Sequence, residues 1–511
     1  MTADSAVRAP RFRFLAGATA VFVLVAGCSS TGRITSRPAE RSTTSTAERA
    51  DASTTSAPDP AGATGALGFT PAALRWQKCD DAPGFECTTM AVPVDWDQPA
   101  GETVDLAIAR QPATGDRIGS LLTNPGGPGG SGLDYLFQEP FSGDIAKRFD
   151  IVSWDPRGVG RSSPLGCGDR VAPFLRNDPD PDTPQEQTAI DADASAVAQE
   201  CADEDATMLP HIGTETVARD LDAIRAALGD DKLTYVGFSY GTSIGLQYLR
   251  LFPAHARAIV LDGVVDPTVD LAGWLTQQTA SIDAAINRAF SACIPSTGCP
   301  VDDLAATYDR VRERVERSPL TANDGTVIGP AELATGTVYA SYDPSLWTEL
   351  ADALADAENG DGRAMRRMAQ GYYDFGGFTA YLGVACLDSQ HPVGSDAYRA
   401  FAQTLEELSP RFGGSIANEL LPCAYWPTPP QPVTGVVTGE GGPPVLVLGN
   451  RGDAATPYEN SVRVAKDLVN GHLVSNDGEG HTSYGRSRCV DDAVTAYLID
   501  LDVPATDPDC R

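Results

Sequence analysis

Val236-Gly237-Phe238-Ser239-Tyr240-Gly241-Thr242 lies between two runs of opposite character. Lys232 to Val236 is short, apolar and β-rich, whereas Ser243 to Leu251 carries apolar residues at helical spacing, so the stretch predicts a strand-to-helix turn. A serine at the apex of so sharp a turn needs a strained backbone. Glycines two residues to either side remove the Cβ atoms that would strike the neighbouring strand and helix. The pattern reads as a nucleophile elbow, with the hydroxyl held out at the sheet edge. Behind it, the N–H of Tyr240 and the positive end of the helix can stabilise a negative oxygen forming on a bound carbonyl. In a chain with 50 glycines a bare Gly-x-Ser-x-Gly also arises as an ordinary turn, so the flanks have to decide.

Upstream, the strand-like run Ile118 to Thr123 empties into Asn124-Pro125-Gly126-Gly127-Pro128-Gly129-Gly130-Ser131-Gly132. No ordinary turn needs so much glycine; its physical use is a bare backbone that can approach a ligand and aim N–H groups at a developing oxyanion. A phosphate cradle would need the lysine of a P-loop, which is absent. Phe149 to Trp154 predicts another buried strand, closing on Asp155-Pro156-Arg157-Gly158-Val159-Gly160-Arg161-Ser162, where the Asp and Arg of one tight turn are expected to pair with each other and with backbone. Thr214 to Leu228 is an amphipathic helix, with Thr214 as N-cap, Val217, Leu221, Ile224 and Leu228 on one face, and Gly229 beyond its end. Thr103 to Arg110 alternates as a half-buried strand, and Arg257 to Leu261 gives one more. This alternation of strand and helix argues a parallel, doubly wound sheet.

After Pro267 the pattern turns helical, notably over Leu271 to Ala292, Val301 to Val315 and Leu346 to Ala369. Sheet character returns at Pro444 to Gly449, so residues 268–435 are expected to form a helical insertion, a lid over the site. The returning strand ends at Asn450-Arg451-Gly452-Asp453-Ala454-Ala455-Thr456-Pro457, and a shorter one, His472 to Ser475, runs into Gly478-Glu479-Gly480-His481-Thr482. An acid and a histidine thus follow the serine, each just past a strand. Asp453 would orient the imidazole of His481, and His481 would take the proton of Ser239. The chain order Ser, Asp, His is that of the α/β-hydrolase fold.

The N-terminus reads as an address. Arg8, Arg11 and Arg13 precede an apolar run, Phe14 to Ala26, too short to span a bilayer as a helix. It ends Leu24-Val25-Ala26-Gly27-Cys28, which resembles the bacterial lipobox, so residues 1–28 are expected to be a lipoprotein signal with Cys28 as the lipidated residue, anchoring the protein outside the cytoplasm. Residues 29–66 are rich in Ser, Thr, Ala, Pro and Gly, a composition that cannot bury a core and predicts a tether. The hydrolase core then takes residues 67–267 and 436–511. Of 11 cysteines, Cys28 is assigned to lipid, and an even number is left in a compartment that permits disulfides. Spacing suggests the local pairs Cys79–Cys87, Cys167–Cys201, Cys293–Cys299, Cys386–Cys423 and Cys489–Cys510, although connectivity does not follow from spacing. No Cys-x-x-Cys occurs and the 5 histidines are not spaced as ligands, which argues against a metal. A formal net charge of −31 argues against nucleic acid as a partner.

Taken together, Asn124 to Gly132, Asp155 to Ser162, Gly237 to Thr242, Asp453 to Pro457 and Gly480 to Thr482 resemble the secreted tripeptidyl aminopeptidases of actinobacteria, relatives of the proline iminopeptidases. The resemblance runs from about residue 70 to 511 and includes Trp76 to Trp96 and Ala385 to Asp388. It implies a serine exopeptidase that removes short peptides from free N-termini, with Ser239 as nucleophile, His481 as base, Asp453 as its orienter, and the N–H groups of Gly127 and Tyr240 as oxyanion hole. It implies no metal or organic cofactor. A free N-terminal ammonium held in a closed cleft needs a carboxylate, and Asp388, beside Cys386 in the lid segment, is the expected partner. An esterase or lipase on the same triad, and a non-catalytic binding lipoprotein, are the alternatives. The sequence leaves the oligomeric state open.

Overall fold

A computed structural model of the chain describes residues 69–138, 141–293, 298–375 and 377–511, all within the unit Asp59–Arg511. The expected signal segment, Cys28 and tether lie outside the described residues. The strands are β1 (Gln77–Lys78), β2 (Glu86–Pro93), β3 (Thr103–Gln111), β4 (Gly119–Asn124), β5 (Phe149–Trp154), β6 (Leu233–Phe238), β7 (Ala256–Asp262), β8 (Leu320–Thr321), β9 (Val327–Ile328), β10 (Val445–Gly452), β11 (Gly471–Glu479) and β12 (Asp509–Cys510). All but the small β8–β9 hairpin join one sheet in the order β1-β2-β3-β5-β4-β6-β7-β10-β11-β12. The pairs from β5 to β12 are parallel and those from β1 to β5 antiparallel. This is the α/β-hydrolase architecture.

β5 and β6 are buried along their whole length, which is why each reads as an apolar run and not as an alternation. Side chains of successive residues go to opposite faces. Ile259 and Leu261 of β7 enter one core with the helices Thr214–Ala227 and Tyr240–Leu251, while Ala258 and Val260 enter another with the helix Arg488–Asp500. Between β7 and β10 the regular elements of the described residues are helices apart from the hairpin, and they contribute to a third core that includes Leu275, Tyr308, Leu350 and Tyr398.

Two local expectations change and a third holds for one arginine of two. The run Leu346 to Ala369 is two helices, Trp347–Glu358 and Arg363–Phe375, broken where Gly360 takes φ 96°. Thr214 is the first residue of its helix and Gly213 the cap, because an acid from elsewhere in the chain meets this helix end. Of the two arginines in the turn after β5, Arg161 meets Asp155 as expected, through its N–H (2.8 Å) and its guanidinium (3.8 Å), whereas Arg157 forks onto Asp220 (2.7 and 2.8 Å) and donates to the carbonyls of Pro93 and Val94; Asp155 also accepts from Ser131 and Leu133. The helix Pro184–Glu204 is an addition, begun by a capping box of Thr183 and Glu186. All five expected disulfides are formed.

Candidate active site

β6 ends at Phe238 and the next helix starts at Tyr240, so Ser239 alone turns the chain, at φ 53° and ψ −126°. Its N–H is fixed to the Asp262 carbonyl at the end of β7 (2.9 Å). Neither flanking glycine has room for a side chain: a Cβ on Gly237 would lie 2.3 Å from the Gly241 oxygen, and one on Gly241 would lie 2.4 Å from the Asn124 oxygen. Tyr240, as the first helical residue, has an N–H with no acceptor inside its own helix.

The glycine loop leaves β4 at the strand end that pairs with Gly237. The side chain of Asn124 accepts from the Gly126 N–H (3.0 Å) and bends the loop over the elbow. Gly126 takes φ 94°, and a Cβ there would sit 2.6 Å from the Phe238 oxygen and 2.8 Å from the Tyr240 nitrogen. The backbone of Gly126 therefore rests directly on the elbow, which brings its neighbour Gly127 and Tyr240 to the same place.

Asp453 follows β10 and His481 follows β11, so both stand at the strand ends where Ser239 stands. His481 Nδ1 lies 2.9 Å from both carboxylate oxygens of Asp453. Asp453 is buried, and it also accepts from the N–H groups of Ala455 (2.9 Å), Thr456 (2.8 Å) and Thr482 (3.1 Å) and from the Thr456 hydroxyl (3.1 Å), so its orientation is fixed from several sides. The other ring nitrogen of His481, Nε2, is buried and has no hydrogen-bond partner among the described residues. Gly263 adjoins the carbonyl that holds Ser239, and a Cβ on it would come within 3.1 Å of His481 Cε1. Serine and histidine thus flank the same end of β7. A buried acid, an imidazole with one nitrogen fixed and one open, and an adjacent hydroxyl can together move a proton off the hydroxyl and return it to a leaving group.

Two supporting acids were not foreseen. Asp262 accepts from Ser483 N–H (3.0 Å), Ser483 hydroxyl (3.0 Å) and Tyr484 N–H (2.8 Å), and so fastens the loop that carries His481. Burial pushes its carboxyl up to about 6 against those hydrogen bonds. Its signal was available: an acid ending a buried strand, like Asp453. Glu419 gave no such signal. It accepts from Tyr372 (2.9 Å) and Tyr381 (3.5 Å), and burial pushes its carboxyl up to about 7. Tyr372 packs edge-on against Tyr342, whose ring meets that of His481 at 5.5 Å. Tyr342 therefore adjoins the histidine, and Tyr372 links it to Glu419.

Asp388 lies at the end of the helix Phe378–Asp388 and accepts from the Thr214 N–H (3.0 and 3.1 Å) and from the Thr214 hydroxyl. Thr214 in turn lies 2.5 Å from the Tyr240 hydroxyl. The carboxyl of Asp388 is raised by burial to about 7, with the Thr214 bonds opposing. Asp388 is thus next to the elbow, but its oxygens are engaged within the protein.

A family model described as TAP-like protein matches residues 409–510. Over 460 residues the chain is 37% identical to serine protease Hip1 of Mycobacterium tuberculosis, covering 84% of this chain and 87% of the relative. It is 36% identical over 502 residues to carboxylesterase B of the same organism, covering 89% and 95%. Tripeptidyl aminopeptidase of Streptomyces lividans is 33% identical over 478 residues, covering 86% and 87%.

Proposed function

Because the chain belongs to the family of the tripeptidyl aminopeptidases and serine protease Hip1, serine hydrolases on an α/β-hydrolase fold, we propose that it is a serine exopeptidase that cleaves short peptides from free N-termini. Ser239 Oγ attacks the scissile carbonyl carbon while His481 Nε2 takes its proton, and Asp453 holds the imidazole and steadies the imidazolium. The oxyanion faces the N–H groups of Gly127 and Tyr240. The C–N bond then breaks, His481 returns the proton to the departing amine, and water releases the acyl group from Ser239 by the same steps. The helical run between β7 and β10 is the lid.

The observation that carries the exopeptidase reading is Glu419. A carboxylate bonded by two tyrosines, and linked through Tyr372 and Tyr342 to the catalytic histidine, has no cation partner among the described residues, and the ammonium of a peptide N-terminus would supply one. The amine-binding role expected of Asp388 therefore moves to Glu419, since Thr214 already occupies Asp388. The name of the Streptomyces relative supports a tripeptide as the unit released. A relative named carboxylesterase B favours a second reading, an esterase on the same three residues. The five disulfides support an extracytoplasmic site, and the Cys28 motif a lipid anchor.

The test compares a free-amine tripeptide anilide, its N-acetyl form and a short acyl ester. Ser239→Ala should lose on the order of 10⁴-fold on all three. Glu419→Gln should lower kcat/KM about 100-fold for the free-amine peptide alone, the worth of a desolvated charge pair. If the wild type cleaves the N-acetyl peptide as fast as the free one, the exopeptidase reading fails, and ester turnover alone would establish the esterase.

A further inference from the structure

One helix of the lid, Phe378–Asp388, touches both walls of the site. Just before its start, the Gly377 N–H donates to the Gly129 carbonyl in the glycine loop (2.9 Å), and the fit is close enough that a Cβ on Gly129 would lie 2.5 Å from the Gly377 oxygen. At its other end stands Asp388. A Cβ on Gly213 would come within 2.6 Å of its Oδ1, so the helix Thr214–Ala227 meets it at a residue with no side chain.

With Asp388 ionised, the hydrogens of this contact run one way. An ionised carboxylate accepts, and the Thr214 hydroxyl has a single hydrogen, which goes to Asp388. Thr214 Oγ1 must then accept from the phenol of Tyr240, at 2.5 Å. The order is Tyr240 to Thr214 to Asp388, and it ends on a helix held from two further sides. Cys386, two residues back, is bonded to Cys423, and the carbonyls of Leu387 and Asp388 accept from Gln431 (2.6 Å) and Val433 (3.1 Å).

We propose that Asp388 is a positioning residue for the oxyanion hole: through Thr214 it fixes the side chain of Tyr240, and with it the Tyr240 N–H beside Ser239, while the same helix fixes the glycine loop at Gly129. This rests on the assignment of Ser239 and Tyr240 above. It makes the lid part of the oxyanion-stabilising machinery used by every acyl substrate, separate from the choice of N-terminus at Glu419. The Tyr240 N–H is shared by peptide and ester chemistry, whereas an ammonium site is not.

The experiment measures kcat and KM separately, on a free-amine tripeptide anilide and on a small neutral ester, with thermal melting as a control of folding. Asp388→Asn, Thr214→Val and Tyr240→Phe should each lower kcat by about 10-fold or more, as for a misplaced oxyanion donor, with KM little changed and by a similar factor on both substrates. Thr214→Ser should restore kcat. The double variant Thr214→Val with Asp388→Asn should be no worse than the poorer single, because both break one chain. Tyr240→Phe keeps the Asp388–Thr214 contact, so it reads the relay even if the other variants fold poorly. The proposal is overturned by a loss confined to the free-amine peptide, by a change in KM alone, by additive losses in the double variant, or by full activity in Tyr240→Phe. Activity surviving in Ser239→Ala would instead reject the underlying reading of the site.

Discussion

At Ser239 the backbone sits at φ 53° and ψ −126°, a region that side chains avoid and glycine tolerates. Holding a serine there costs about 1 to 3 kcal/mol, against about 0.5 to 1 kcal/mol for the extra chain entropy that a glycine would lose on folding. Strain outweighs entropy at this position. Ser239→Gly should therefore be more stable than Ser239→Ala by about 1 kcal/mol in urea unfolding, although both are inactive; equal midpoints would mean that the turn stores no strain. The same physics made this residue readable from sequence, since a strained turn between a strand and a helix needs glycines at 237 and 241. Asp453 and His481 were readable because each stands just beyond an apolar strand. Glu419 was not, because a carboxylate's role is set by what faces it, and its tyrosines come from helices Arg363–Phe375 and Phe378–Asp388, with no local pattern. The chain neighbours of Asp388 point to an amine partner, yet the group it holds, Thr214, is 174 residues away.

Among the elements, the turn after β5 repeats that lesson. Asp155 keeps to Arg161 of its own turn, but Arg157 reaches the helix Thr214–Ala227 and locks it to the end of β2, with the side chains of Arg157 and Asp220 both 0% exposed. The pair Lys147–Asp144, at 59% and 67% exposure, is screened by water and adds little to stability. Removing Arg157 is different in kind, because Asp220 would stay buried without its cation. Arg157→Ala should cost about 3 to 5 kcal/mol in chemical denaturation. A loss under about 1 kcal/mol would show that Asp220 is relieved by protonation or water. The central strands β4 to β7 and β10 were legible because burial on both faces forces apolar runs, whereas β2, with exposed positions along it, was not read as a strand and β11 is longer than its apolar part. The helix Pro184–Glu204 was overlooked, although Thr183-Pro184-Gln185-Glu186 carries a capping box, because its alanine-rich faces give little contrast.

For the whole molecule, the disulfide pairs that spacing suggested are the ones formed, each across a sequence separation between 6 and 37 residues. The anchor is a matter of chemistry at one atom: acyl chains on Cys28 would hold the protein to a bilayer in high salt, where charge contacts fail. Cys28→Ala should release it to the soluble fraction or leave an uncleaved precursor, and wild-type protein that washes off membranes in salt alone would refute the anchor. The last strand has a less visible consequence. β12 covers part of β11 through Ser475 and Asn476, and it is stapled beside the helix Arg488–Asp500 by Cys489–Cys510. A reductant that opens this bridge would loosen a two-residue strand close to the end of the chain. The backbone groups of β11 would then stand open at the rim of the sheet, available to a second copy. Guarding that rim against stray pairing is thus partly the work of the final cysteine.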